Sequence, residues 1–345
     1  MKTRLFIFGV VMIGCLIGQK VQAQVVQMAT VQHGETMKAY YGLEALKDAI
    51  AAAAAGDVIS LSTGQFNAPT INKAVTIQGA GYVIANGNYT AIVGEMTVDV
   101  PGGAKGLLIE GLHCIGKVTV AGDSLCGFTF RKCRMGDLVF NAKIVEGELG
   151  QSKLKKLTYA EANKFYVHHD VIHEIYATYE SQIAVDIDHC IVTGCLRNTV
   201  TAVVRNSLLK NASGTSACAY YNNVMSQNGF NFGQYWVGRI TSAYLSGNKI
   251  FEISTTEYDN TEKNYAALFV TPAHAYTWNE TYDYKLTEEA AAQYLGGDGT
   301  QVGLYGGSVP FTEVLSTPQI VEKQIATQTD ENGMLSVKIK VEAQK

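Results

Sequence analysis

Behind its N-terminus the sequence has no second long apolar run, no Cys-x-x-Cys pair, no Cys/His zinc spacing and no excess of basic residues. The first absence leaves no later candidate for a spanning helix, which takes about 20 apolar residues. The second and third remove the usual frameworks of a structural zinc site. The fourth, 27 Lys and Arg against 31 Asp and Glu, speaks against a nucleic-acid partner.

What is present begins with an export signal. Lys2 and Arg4 precede an apolar run from Leu5 to Ile17, and Val21-Gln22-Ala23 supplies small residues before Gln24. This order of charge, apolar stretch and small residues predicts a cleaved signal peptide over residues 1–23, because the run is too short to anchor in a bilayer. Ile13-Gly14-Cys15 resembles part of a lipobox, so a lipidated Cys15 is the alternative. Cleavage after Ala23 leaves 24 basic against 31 acidic residues, net −7, and six of the seven cysteines. An even number in an oxidising compartment invites disulfides. The destination is the periplasm, the outer surface or the medium.

Residues 42–84 set the architecture. Leu43, Leu46, Ile50 and Ala53 recur at helical spacing, and short β-rich runs follow, parted by Gly, Pro and Asn. From Gly106 to Glu252 the chain lays out as repeats around a bend at His113, Lys132, His189, Asn206, Asn223 and Asn248. A period near 20 residues means one solenoid coil per repeat. The gap from Lys132 to His189 fits two further coils or one excursion. Residues two and four before the bend are mostly apolar and should face inward; those one and three before it should face outward. Cys114, Cys133 and Cys190 share the position after the bend, which predicts a stack of small inward side chains and argues against simple disulfide pairing.

One helix leading into many short repeats resembles the right-handed parallel β-helix proteins of the pectate-lyase-like class, and the whole mature chain resembles secreted β-helix proteins of Bacteroidetes. The resemblance implies an all-β fold: a right-handed parallel β-helix with an N-terminal helix plugging its first coil. We therefore expect a β-helix domain over 24–318 with excursions near 141–180 and 254–295. The second excursion includes a short helix starting at Thr287-Glu288-Glu289. GGDGTQVGLYGG at 296–307 resembles the closing segment of such folds, and a hairpin tail over 319–345 turns at Asp330-Glu331-Asn332-Gly333.

Three constellations could carry chemistry. The repeat register places Asp186 and Asp188 outward on one coil and Arg205 on the next, about 4.8 Å away. In polysaccharide lyases of this fold, calcium on acidic ligands and an Arg or Lys base act on a uronate; the plainer reading is a surface ion pair. The Asp-Asp and Gly-His-Gly signatures of the polygalacturonase type are absent. His168, His169, Asp170, His173 and Glu174 are the densest set of metal-ligand side chains, and His169 and His173 would share a helix face; a solvated excursion is the alternative. Tyr220, Tyr235 and Trp236 could stack on sugar rings. Asn206, Asn223 and Asn248 resemble the asparagine ladders of β-helices.

These readings give a non-catalytic exported protein, without cofactor, that presents a long face to a polysaccharide or a cell-surface component. Two alternatives stand beside it: a calcium-assisted polysaccharide lyase or glycoside hydrolase, and a structural or adhesive surface module.

Overall fold

The structure, a computed structural model, describes residues 26–83, 89–177, 185–197, 202–213, 219–226, 249–251, 265–325 and 331–342, apart from a few single positions. The signal peptide, Tyr235, Trp236 and Asn248 lie outside the described residues.

Parallel strands stack into a β-solenoid of about seven turns. One sheet, here the first, runs through Val58–Leu61, Thr76–Gln78, Leu108–Glu110, Phe128–Arg131, Lys143–Gly150, Ala162–His168, Val185–Asp188, Ala202–Arg205 and Ala219–Tyr221. The second runs from Gly64–Asn67 through Thr90–Val93, Leu112–Cys114, Arg134–Phe140, Lys153–Tyr159, Val171–Ala177, Ile191–Arg197 and Leu208–Ser213 to Val224–Ser226 and Lys249–Phe251. Period-2 alternation turns Ile109, Phe130, Leu149, Val167, Ile187 and Val204 of the first sheet into one buried column. Phe128, Phe140 and Phe165 fill the middle coils with ring centroids 5.4 to 6.1 Å apart, contacts worth about 0.5–1.5 kcal/mol per pair beyond their buried area.

The N-terminal end is closed by the Ala45–Ala52 helix, whose buried Ala45, Leu46, Ala49 and Ile50 join the main core. Leu43 lies outside this helix and is exposed. An antiparallel hairpin, Met28–His33 and Thr36–Tyr41, extends the first sheet in front of it. The hairpin has no counterpart in the periodicity of residues 42–84.

From the Leu108–Glu110 strand onward, each described coil passes from the first sheet to the second through one left-handed residue: Gly111, Lys132, Gln151, His169, His189, Asn206 and Asn222, 16 to 21 residues apart. This corrects the expected register at three places. The stretch from Lys132 to His189 holds two ordinary coils with bends at Gln151 and His169, so the expected excursion at 141–180 does not exist over its described residues. Their polarity comes from outward positions such as Lys155, Lys156, Asn163 and Lys164, while Leu154, Leu157, Tyr159, Phe165, Val167, Ile172 and Ile175 fill the core. The first bend is Gly111, not His113, and the bend after Asn206 is Asn222, not Asn223, because that coil is only 16 residues long.

The residues after these bends form a buried ladder: Cys133, Ser152, Asp170, Cys190, Ser207 and Asn223. Ser152 Oγ accepts from Cys133 N at 3.1 Å, Asp170 Oδ1 from Ser152 N at 2.6 Å, Ser207 Oγ from Cys190 N at 3.0 Å and Asn223 Oδ1 from Ser207 N at 2.9 Å. Each small polar side chain thus satisfies a backbone N–H that would otherwise be buried without a partner. Cys114 belongs to a different column, yet it too points inward. Burial pushes the thiols of Cys114 and Cys190 well up and that of Cys133 to about 12. No disulfide joins the described cysteines. In the folded, reduced protein Cys114, Cys133 and Cys190 are therefore expected to resist a thiol reagent that labels half-buried Cys195 first; rapid labelling of all three would contradict the register.

The chain then doubles back. Residues 265–311 lie on the outer face of the second sheet, where Tyr265, Phe269, Tyr284, Val302, Leu304 and Phe311 bury Val171, Ile191, Leu208 and Val224 in a second core. The Glu288–Gln293 helix stands where its Thr287 cap predicts, the Thr287 hydroxyl accepting from Ala290 N. Residues 296–316 then run back along the bends as a strap. Asn206 accepts from Gly297 N and Gly303 N; His169 Nε2 meets Gly306 O at 3.0 Å; Gln151 donates to Val309 O and Pro310 O; Lys132 donates to Val314 O; Glu110 takes the Ser316 hydroxyl and N–H. The bend column is thereby covered along most of its length. A two-stranded antiparallel hairpin, Gln319–Ile325 and Val337–Glu342, ends the described chain.

Candidate functional site

With the bends under the strap and much of the second sheet under the second core, the outer face of the first sheet carries the most concentrated uncovered chemistry. Alternation puts two columns of side chains there. Residues adjoining the bend are Glu110, Arg131, Gly150, His168, Asp188 and Arg205; two residues earlier come Thr129, Glu148, Tyr166, Asp186 and Val203, and the register aligns each with the next coil. Asp186, Asp188 and Arg205 thus come together on adjacent coils, facing outward, as the sequence predicts. Arg205 Nη2 lies 2.6 Å from Asp186 Oδ2, and Arg205 Nε lies 3.1 Å from Asp188 Oδ2.

The two aspartates differ in kind. Asp188 is 13% exposed and both of its oxygens are taken. Oδ1 meets His189 Nδ1 at 2.8 Å and Asn206 Nδ2 at 2.9 Å; Oδ2 meets Arg205 Nε and the Tyr166 hydroxyl, the latter at 3.3 Å. A carboxylate offers about four lone-pair sites, and here all four are filled. Burial alone would raise its pKa, but His189, Asn206 and Arg205 outweigh burial and hold the group well below the usual carboxylate range. Asp186 is 36% exposed and has a single partner, Arg205. Burial raises its pKa against the pull of Arg205, and the charge of Asp188 adds to the rise.

Next to this pair stands a second group that the sequence reading did not single out as a site. His168 Nε2 lies 3.0 Å from Glu148 Oε1, and the Tyr166 ring stacks on the His168 ring at 4.5 Å and 18°. Gly150 makes the arrangement possible: a Cβ there would sit 2.5 Å from His168 Nε2, so any side chain would displace the imidazole. On its other side His168 Nδ1 meets His169 Nδ1 at 3.1 Å. His169 donates from Nε2 to Gly306 O, so a neutral His169 accepts at Nδ1 and His168 donates there. Glu148, held below its ordinary pKa first by the hydrogen bond from His168, is the ionised acceptor at the far end. The chain of bonds therefore runs from Glu148 through His168 and His169 to the strap at Gly306.

The remaining expected site residues separate. Tyr220 was expected outward; it is 2% exposed and packs in the main core, since the true bend is Asn222. The residues of the 168–174 run share no helix face: His168 faces out, His169 meets the strap, Asp170 lies in the inner ladder, and His173 reaches Thr193 Oγ1 at 3.1 Å on the second sheet. Among the described residues no group of three or more His, Cys, Asp or Glu could hold a metal ion. Nor does calcium fit at Asp186 and Asp188, where the oxygens of Asp188 are saturated and a guanidinium occupies the space between the carboxylates. What could have signalled the second group is the diagonal spacing of Glu148 and His168, 20 residues, which matches the 19 of Asp186 and Arg205 once 141–177 is read as coils.

Comparison with protein-family models, with curated proteins and with solved structures finds no match to this chain.

Proposed function

We propose that the chain is a non-catalytic glycan-binding solenoid, exported by its N-terminal signal, whose first-sheet face at Glu148, Tyr166, His168, Asp186 and Arg205 receives a polyhydroxylated chain. The saturation of Asp188 carries the reading. A carboxylate with four donors is not available as base, nucleophile or metal ligand, whereas its neighbours Glu148, Asp186 and Arg205 keep 42%, 36% and 40% of their side chains exposed. Arg205 offers donors and the two carboxylates offer acceptors, the pairing that adjacent sugar hydroxyls satisfy. Tyr166 lies between Glu148 and Asp186 in the same column, and its ring suits the C–H face of a pyranose. The likeness to pectate-lyase-like β-helices supports a polysaccharide as the ligand class and gives no support to lyase chemistry here.

The test incubates the mature protein with a panel of polysaccharides and reads retardation in affinity gels beside the release of reducing or unsaturated ends. Retardation without new ends is expected. New ends that vanish in Arg205→Ala would replace this reading with the lyase or glycosidase alternative.

A further inference from the structure

The charges of the first-sheet face come in bonded sets that bridge neighbouring coils. Arg131 holds Nε and Nη2 at 3.2 and 3.0 Å from Glu110 Oε2. His168 Nε2 lies on Glu148, and Arg205 reaches Asp186 with Nη2 and Asp188 with Nε. Both guanidiniums of the two outward columns are thus held by carboxylates of the chain itself. Four carboxyl groups, those of Glu110, Glu148, Asp186 and Asp188, stand there against two guanidiniums and one imidazole. The acidic groups keep the majority even when the imidazole carries a proton.

A sugar carboxylate and a sugar hydroxyl meet this arrangement differently. To reach Arg205, a carboxylate has to enter beside Asp186 and Asp188 or displace one of them, and either way like charges are brought together in a half-buried site. It also brings acceptors only. A hydroxyl brings a donor as well, and a donor is what Asp186 lacks at Oδ1: that atom is shut from water and has no hydrogen-bond partner. A buried acceptor without a donor is costly. The terminal torsion of an aspartate is soft, so a hydroxyl seated beside Tyr166 can draw this oxygen into a bond.

We infer that the first-sheet face takes uncharged polysaccharides and rejects polyuronates, through the fixed carboxylates of Glu148, Asp186 and Asp188. The inference rests on the reading of this face as a glycan site and adds its substrate class. Discrimination here comes from a repulsive element built beside the attractive one. Matched polymers test it. Polygalacturonate, alginate and hyaluronate are each cast into affinity gels beside their carboxyl-reduced forms, which keep the linkages and lose the charge, with xyloglucan and galactomannan as further neutral chains. The gels are run at low ionic strength, where charge effects are least screened. Retardation by neutral polymers is expected, with each acidic parent of a retained chain weaker by about tenfold or more. Asp186→Asn and, separately, Glu148→Gln keep the shape of the side chain and remove one charge, so each should narrow that ratio severalfold in a protein whose unfolding is unaltered. Acidic polymers bound as tightly as their reduced forms, with Tyr166→Ala weakening both, would overturn the selection and leave the binding face standing. Retardation by no polymer would overturn the proposed function and the selection with it. A ratio unmoved by both charge-removing variants would overturn the role given to these carboxylates.

Discussion

Asp188→Ala is expected to lower the stability of the fold by about 3 kcal/mol or more, and Asp186→Ala by less than about 1 kcal/mol, although both aspartates contact the same arginine. Breaking one partner of a buried, hydrogen-bonded charge group typically costs about 3–5 kcal/mol, because the remaining groups stay buried without their counterpart. Removing Asp188 takes the partner from His189 Nδ1 and Asn206 Nδ2, on side chains that are 3% and 6% exposed. Asp186 sits in a half-exposed pair of the kind worth about 0–1 kcal/mol, and burial already disfavours its charge. Urea midpoints at constant m-value read the difference directly. Equal costs for the two substitutions would mean that Asp188 is an ordinary surface charge, and its exclusion from chemistry would fail with that.

The second large effect is a pair of opposite pH dependences inside one coil. Burial holds His169 at about 4, against 6.5 for the free side chain. Its folded pKa is depressed, so the unfolded chain binds a proton that the native state refuses. The stability contributed by neutral His169 is present above pH 6.5 and lost as pH falls toward about 4, a swing of about 3 kcal/mol by linkage. The groups facing it are His168, the stacked His189 at 5.1 Å, Gly306 O on the strap and, nearby, Asp188. Its neighbour Asp170 has the opposite sign. Full burial raises that carboxyl well above its ordinary value, so the native state keeps a proton that the unfolded chain releases, and stability falls as pH rises past the ordinary carboxylate pKa. Asn223 holds the equivalent rung with Oδ1 accepting from Ser207 N and Nδ2 donating to Val204 O. A neutral Asp170 can imitate that amide.

Relative to wild type, His169→Asn should therefore gain stability as pH drops from 6.5 to 4, and Asp170→Asn should gain as pH rises through the same window. Asparagine tolerates the left-handed backbone at 169, where φ is 54°. Thermal unfolding of the three proteins between pH 4 and pH 7 checks both signs. Parallel pH profiles would contradict the burial assigned to these groups.

Much of this was legible in the sequence. The outward placement of Asp186, Asp188 and Arg205 followed from alternation and a period near 20, because the inward residues on those coils, Val185, Ile187, Ala202 and Val204, are plainly apolar. The coils between Lys132 and His189 were not legible. Gln151 stands at a left-handed bend that glycine or asparagine usually fills, and lysines crowd the outward positions of Lys153–Tyr159, so a core of Leu154, Leu157 and Tyr159 is masked by its exterior. Tyr220 was misdirected by one residue because Asn222 and Asn223 are adjacent and either could have been the bend. The strap lay beyond local pattern altogether: Gly297 meets Asn206 from 91 residues away, and Ser316 meets Glu110 from 206. The saturation of Asp188 depends on those bends, since His189 and Asn206 are themselves bend residues.

The claim that the first-sheet face is the binding face is tested most directly by the affinity of single variants for a retained polysaccharide. Glu148→Ala, Tyr166→Ala and Arg205→Ala should each weaken binding by about tenfold, while Lys156→Ala on the second sheet should leave it unchanged. Undiminished binding in all three first-sheet variants, with their unfolding transitions intact, would contradict the account.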